Sequence, residues 1–347
     1  MTLLTLDGRQ GEGGGQILRS GLALSAVLGR PFELTHIRGG RKRPGLKRQH
    51  LACVRAAAEI TGSEALGASL DSDRILLEPG PVRPGSYTFR VGSAGSCNLV
   101  LQTVLMPLLL AKGPSEVVLE GGTHNSMAPP TDALSMSFLP LVERMGGRVE
   151  LTLERAGFFP AGGGRVRVRI EPASTPQPLE LLQRGPDEKR SAVIDYAHLG
   201  EAIPRKQVRL LRTLLPLLGD NIELREHDTS PGPGNAISIF LGFRNVCEVF
   251  TCFGAKSVPS RRLVATLAKS VKRYLSSDAP VGSHLADQLL LPMALLGGGT
   301  FSTTQATEHT TTNADVINAF LGEGTVSLEE EAHALQRVHV KAVFDAR

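Results

Sequence analysis

The residues best suited to chemistry fall in a few short stretches separated by hundreds of positions. His309 lies in Thr307-Glu308-His309-Thr310-Thr311-Thr312-Asn313, an imidazole among small hydroxyl and amide neighbours. A ring that is reachable and orientable on a strand-to-helix loop suits a nucleophile or a general base; an ordinary surface or core histidine is the plain alternative. Glu308 would support an imidazolium only if both side chains turn the same way. Near the start of the chain, Gly8, Gly11, Glu12, Gly13, Gly14, Gly15, Gln16 and Arg19 form a glycine loop at a strand-to-helix junction. Glycines there bring backbone N–H groups close to an anion at a helix N-terminus, where the dipole favours negative charge. No Gly-Lys-Ser/Thr follows and no dinucleotide fingerprint can be drawn, which leaves a tight-packing turn as the other reading. Glu12 makes sense in an anion loop when a cation stands between it and phosphates. Arg19 can point back at the same anion.

From Leu34 to Ala58 the chain carries Arg38, Arg41, Lys42, Arg43, Lys47, Arg48 and Arg55 with no carboxylate. Such a block predicts several phosphate contacts and salt-sensitive binding to a polyanion, against the usual fate of a solvated charged face. Pro44-Gly45 divides it, placing Arg38, Arg41 and Arg43 beside a strand end, with Gln49 and His50 on one side of the following helix. Gly92-Ser93-Ala94-Gly95-Ser96 is a second small-residue loop opening a helix, suited equally to an oxyanion or to simple capping. The helix it opens carries Gln102 in an apolar run, where a buried amide requires a partner. His284-Leu285-Ala286-Asp287-Gln288 precedes the last apolar helix. Cys247 and Cys252 read as core, and His36, His198, His227, His333 and His339 have no spacing that favours a metal.

The elements positioning these groups follow from composition and period. The chain has 347 residues, 41% hydrophobic and 21% charged, with net charge +4, which excludes a disordered or fibrous protein. Only nine of its 38 basic residues are Lys; the rest are Arg, the fork-shaped phosphate and carboxylate binder. Twelve Phe, three Tyr and no Trp argue against a long base-stacking platform. The four Cys show no zinc spacing, and the longest apolar stretch, near Leu99 to Ala111, is too short to span a bilayer; the expectation is a reduced, cytoplasmic protein.

A strand at Leu3 to Asp7, a helix at Gln16 to Leu28 and a strand at Pro31 to Ile37 set a grammar. It returns at Glu116 to Gly122 with a helix at Thr131 to Met145 and a strand at Arg148 to Leu153. A weaker copy follows Leu289, with a strand at Thr300 to Thr304 and a short helix near Asn313 to Leu321. Repetition at roughly 100 residues suggests triplication of one α/β module. Composition changes near Gln183, so residues 184–279 read as a small α/β domain inserted into a large one formed by 1–183 and 280–347.

In order and spacing, GEGGGQILR, IRGGRKRPGLKRQH, GSAGSCNLVLQT, GGTHNSMAPPTD, GFFPAGGG, HLADQLLLPMAL and TEHTTTN resemble the RNA 3'-terminal phosphate cyclases. That resemblance implies three repeated modules, each a small sheet backed by two helices, related to the enolpyruvate transferases. It implies an ATP-dependent ligase-type reaction that turns the 3'-terminal phosphate of an RNA into a 2',3'-cyclic phosphate through a histidine-AMP. His309 would be the nucleophile through Nε2. Gln102, His284, Leu285, Ala286, Asp287 and Gln288 would contact ATP, Glu12 would hold Mg²⁺ or Mn²⁺, and Arg19, Arg38, Arg41, Arg43 and Gln49 would meet phosphates. The family often has Tyr where this chain has His284, beside the adenine. A non-catalytic branch that binds RNA in ribosome assembly lacks the nucleophilic histidine, which is present here. An enolpyruvyl-type transferase would suit the Glu12 loop poorly.

Overall fold

The computed structural model describes residues 2–331 and 335–343, so His333 lies outside the described residues. Three four-stranded sheets share one topology. In the first module β1 (Leu4–Asp7), α1 (Gln16–Leu28), β2 (Phe32–Thr35), α2 (Arg48–Thr61), β3 (Ala65–Leu66) and β4 (Ile75–Leu77) give the strand order β1-β2-β4-β3. The second module has β5 (Ser86–Arg90), α3 (Cys97–Leu109), β6 (Ser115–Gly121), a helical stretch, β7 (Arg148–Arg155) and β8 (Gly164–Glu171), ordered β5-β6-β8-β7. Its helical stretch is α4 (Thr131–Ala133), a π-helical turn at Leu134–Phe138 and α5 (Leu139–Arg144), where one helix was expected. The first pair of strands is parallel in each module, as a crossover helix requires, and the other pairs are antiparallel.

The third module begins with β9 (Leu179–Leu181), which pairs in parallel with β14 (Gly299–Thr303) across more than a hundred intervening residues. The repeat therefore starts at β1, β5 and β9, one strand and one helix earlier than the grammar suggests for the second copy. Three-residue β9 is too short for its period to show. Between its two parts the chain forms β10 (Asp187–Ala197), α6 (Ala202–Leu214), β11 (Ile222–Glu226), β12 (Gly234–Phe243), β13 (Cys247–Phe253) and α7 (Ser260–Leu275), a sheet ordered β11-β10-β12-β13. The third module then continues with α8 (Ser283–Leu295), β14, α9 (Glu308–Leu321), β15 (Val326–Glu331) and β16 (Leu335–Val340). The fold is thus α/β, with each repeated sheet accompanied by two helical segments.

The helices are set by ordinary local physics. Both α1 and α2 stop at glycines in the left-handed conformation, Gly29 and Gly62, which a side chain would strain. Helices α3 and α8 are buried over most of their surface, as their nearly unbroken apolar sequences require, and each carries a Gln at its sixth residue. Helix α1 packs against α3 and α9, and α3 against α8, so one helical core runs through all three modules. On β8, Val166, Val168 and Ile170 face inward, while Arg165 and Arg167 pair outward with Glu116, Glu120 and Glu154. No helix among the described residues is long and apolar enough to cross a membrane.

Candidate active site

Helix α9 begins five residues earlier than its apolar period suggests, because Thr307 caps it: the Thr310 amide donates to the Thr307 hydroxyl at 3.3 Å. His309 therefore sits in the first turn of a helix, where the dipole favours an anion, and not on a loop. The polar residues that follow it share the face at i+3 and i+4. Thr312 accepts from the Glu12 amide at 2.9 Å, and Asn313 takes the Ser20 hydroxyl at 2.6 Å and donates to the Asp287 carbonyl at 2.7 Å. This face fastens the third module to the glycine loop of the first.

The acid beside His309 is Glu12, not its chain neighbour Glu308. The His309 Nδ1 lies 3.8 Å from Glu12 Oε2, with the histidine half-exposed and the glutamate side chain only 4% exposed. Because Nδ1 faces the carboxylate, Nε2 is the ring nitrogen on the side away from it. Glu12 also pairs closely with Arg41 and accepts from the Gln16 amide at 3.2 Å. Gly11 and Gly13 adopt positive φ, and a side chain at either would strike Thr312 or Gly40. Gly14 is pressed by Glu12 and Arg41, so the loop is glycine because other elements lie on it. Among the described residues, the Gly14 and Gly15 amides have no acceptor, leaving donors at the N-terminus of α1.

Beside this loop opens a cleft of about 260 Å³, lined by Gln16 and Arg19 from α1, Leu99 and Gln102 from α3, and His309 from α9. His284, Leu285, Asp287 and Gln288 from α8 form a further wall, and the segment Ser126 to Pro130 another. Gln102 finds the partner its burial demands: its Nε2 donates to Gln288 Oε1 at 2.9 Å, and Gln288 donates to the His284 carbonyl at 2.5 Å. The two glutamines are the sixth residues of equivalent helices, so the repeat itself builds this bridge. Burial pushes the Asp287 carboxyl up to about 7, against the opposing charge of Arg19. Desolvation on the cleft side and then the charges of His309 and Arg273 lower His284, although its outer surface is exposed. Glu248, Val249, Thr251 and Phe253 of β13 complete the wall. Their strand alternation gave no functional signal. Glu248 is buried, which raises its carboxyl to about 7, and it accepts from the Gly282 amide at 2.5 Å.

Other expected site residues are placed differently. Ala286 is fully buried and faces the core, because its neighbours on the helix take the cleft side. Arg38 donates to the carbonyls of Arg43 at 2.7 Å and Gly45 at 3.1 Å, bracing its own loop. Arg43 is exposed beyond it. Gln49 accepts from the Ser96 amide at 2.7 Å and so caps α3, while Gly95 and Cys97 donate to Ser93 and Gly122. The Gly95 and Ser96 donors of the second small-residue loop are thereby consumed within the protein. Gln49 and His50 diverge: His50 is buried against Gly15 and Arg19, and burial plus the charge of Arg19 lowers it to about 3. The acid-free block is not acid-free in space, since Glu12 meets Arg41 and Asp71 meets Lys47. Cys247 and Cys252 are half-buried on β13.

Among the described residues no group of three His, Cys, Asp or Glu could hold a metal alone. A single buried carboxylate beside amides that have no acceptor does fit Mg²⁺, which is commonly held by one or two carboxylates together with substrate phosphates.

A helix-borne histidine and a guanidinium on the cleft wall, with a buried carboxylate and unpaired loop amides beside it, are groups of the kind phosphoryl or nucleotidyl chemistry draws on. The chain belongs to the RNA 3'-terminal phosphate cyclase family, whose model matches residues 10–325. It is 45% identical over 331 residues to the RNA 3'-terminal phosphate cyclase of Koribacter versatilis, covering 95% of this chain and 93% of that protein. The like-named proteins of Salmonella agona and Ralstonia nicotianae are each 44% identical, with 96% of both chains covered. Among solved structures, the enolpyruvyl transferase NikO of Streptomyces tendae covers 99% of this chain at 12% identity and a TM-score of 0.37. The chain spans about half the length of that structure.

Proposed function

We propose that this protein uses ATP to convert the 3'-terminal phosphate of an RNA into a 2',3'-cyclic phosphate. The observation carrying this reading is the place of His309, at the wall of the cleft with Nδ1 toward Glu12 and Nε2 away from it. Nε2 attacks the α-phosphorus of ATP; the bond to the β-phosphate oxygen breaks and pyrophosphate leaves. An oxygen of the RNA 3'-phosphate then attacks the same phosphorus, the P–N bond breaks, and AMP passes to the RNA end. Finally the neighbouring 2'-hydroxyl attacks the activated 3'-phosphorus, closing the ring and releasing AMP. Splitting the reaction in this way replaces one difficult displacement by easier ones.

Glu12 would hold Mg²⁺ (or Mn²⁺) against the phosphates, and the ion when bound neutralises charge that builds on their oxygens. The Gly14 and Gly15 amides and Arg19 bind phosphate oxygens at the N-terminus of α1, with Arg41 next to them. Gln102 and Gln288 hold one another in place at the base pocket, and His284 and Leu285 flank it. Arg38 and Gln49 act one step removed, the first by bracing the arginine loop and the second by capping α3.

The reading is tested with an RNA oligomer carrying a labelled 3'-phosphate, ATP and Mg²⁺. The label is expected to become resistant to phosphatase, and AMP to appear in equal amount. A label that stays phosphatase-sensitive would overturn the reading.

A further inference from the structure

The inserted sheet carries a feature that the cleft does not use. Helices α6 and α7 pack side by side on the sheet, and neither contains a carboxylate. Together they bear Arg205, Lys206, Arg209, Arg212, Arg261, Arg262, Lys269, Lys272 and Arg273, all exposed. Arg205 and Arg212 pair with Glu201 and Asp220 at the ends of α6; among the described residues the other seven make no ion pair. On α6, Arg205, Arg209 and Arg212 follow at i, i+4 and i+7, and on α7, Arg262, Lys269 and Arg273 keep one side while Leu263, Val264, Leu267 and Val271 face the sheet.

Exposed helices ordinarily alternate signs, because like charges at i and i+4 repel and opposite ones attract. Lys269 with Arg273 and Arg205 with Arg209 are like pairs that folding does not require. The face also meets the cleft: α7 leans on edge strand β13, whose other side lines the cleft, and Arg273 is near enough to His284 to lower it. A basic strip of about 18 Å from Arg261 to Arg273 thus leads away from the place where an RNA end would be held.

We propose that the α6/α7 face is a docking track for the phosphate backbone of the RNA upstream of its 3' end. This rests on the reading of the cleft given above. The contacts are electrostatic and independent of sequence, so longer RNA gains affinity and the gain fades with salt.

The test compares wild type with the triple variant Arg262→Glu, Lys269→Glu, Lys272→Glu on two 3'-phosphorylated substrates, a dinucleotide and a fourteen-nucleotide strand. KM for the long strand is expected to rise about tenfold with kcat unchanged, while KM for the dinucleotide and self-labelling by ATP stay at wild-type levels. The slope of log affinity against log salt should fall by about 2 for the long strand. The variant Lys269→Arg, Lys272→Arg should behave as wild type. Equal KM values for variant and wild type on the long strand, or equal losses on both substrates, would overturn the proposal. Fluorescence anisotropy of the labelled long strand reads the track even if no cyclisation occurs, so failure of the cleft reading and failure of the track are separable.

Discussion

Two of the histidine–carboxylate groupings among the described residues are built in opposite ways. At the junction of the second module and the inserted sheet, His227 Nε2 meets Asp195 Oδ1 at 2.7 Å, with the two side chains 13% and 1% exposed. Arg225 reaches the same carboxylate at 3.5 Å and Asp132 at 2.9 Å, while buried His124 stacks on Phe158 and donates toward or accepts from Thr123 at 2.8 Å. In the cleft, His309 and Glu12 stand 3.8 Å apart, and the histidine is 46% exposed. The sealed group is a clamp between parts of the fold, where short contacts to Asp195 Oδ1 offset the cost of burying charge while its Oδ2 has no hydrogen-bond partner among the described residues. In the open pair both Glu12 oxygens are engaged, one by Arg41 and one by the Gln16 amide, and it is the histidine ring that stands exposed to the cleft. A tight histidine–carboxylate contact alone therefore does not make an imidazole available for chemistry; access to a cleft does.

Substitutions can break this contrast from either side. The largest effect is expected for His309→Ala, which should reduce transfer of AMP to the protein by at least on the order of a thousandfold. Its melting temperature should stay near that of wild type, as a half-exposed side chain is lost; a matching loss of stability would make His309 a structural residue. Glu12→Gln keeps the shape and removes the charge, and adenylation should slow on the order of a hundredfold. An unchanged rate at saturating Mg²⁺ would remove Glu12 from the chemistry. Asp195→Ala should act on the other axis, costing about 3 kcal/mol in urea denaturation by leaving the clamp without its anion. Adenylation per folded molecule should change less than about twofold; a selective loss of activity would place the clamp in the reaction.

The smallest effect concerns pH. Burial raises the folded Asp287 carboxyl to about 7 from 3.8. The folded state thus holds a proton that the unfolded state releases, and stability from this group is full below about pH 4 and lost as pH rises toward about 7. Asp287→Asn should flatten the fall of melting temperature across that range. An equally steep fall in the variant would assign it elsewhere, with Glu248, raised to about 7 in the same way, the first group to examine.

Much of the fold was legible in the chain, because helix and strand periods and glycine stops are local. Gln16–Leu28 emerges with the bounds its apolar spacing implies. The start of the repeat was hidden where β9 has three residues and its partner lies beyond an inserted sheet, since no local period reports a pairing of that kind. In the site, residue types pointed to His309, Glu12 and Gln102, but contacts between distant segments decided what each touches. Glu308 was the neighbour in sequence and Glu12 the neighbour in space. Gln102 announced only that it needed a partner, and the equivalence of α3 and α8 supplied Gln288. His227 showed no spacing of interest, yet a parallel strand pair brings it to Asp195.

The proposed carrier of the nucleotide is His309 Nε2. Mass spectrometry of the full chain after exposure to ATP and Mg²⁺, followed by fragmentation at neutral pH to preserve a P–N bond, tests it most directly. One AMP adduct is expected, located on the peptide containing His309 and absent from His309→Ala. An unmodified protein, or an adduct on another residue that survives in His309→Ala, would contradict it.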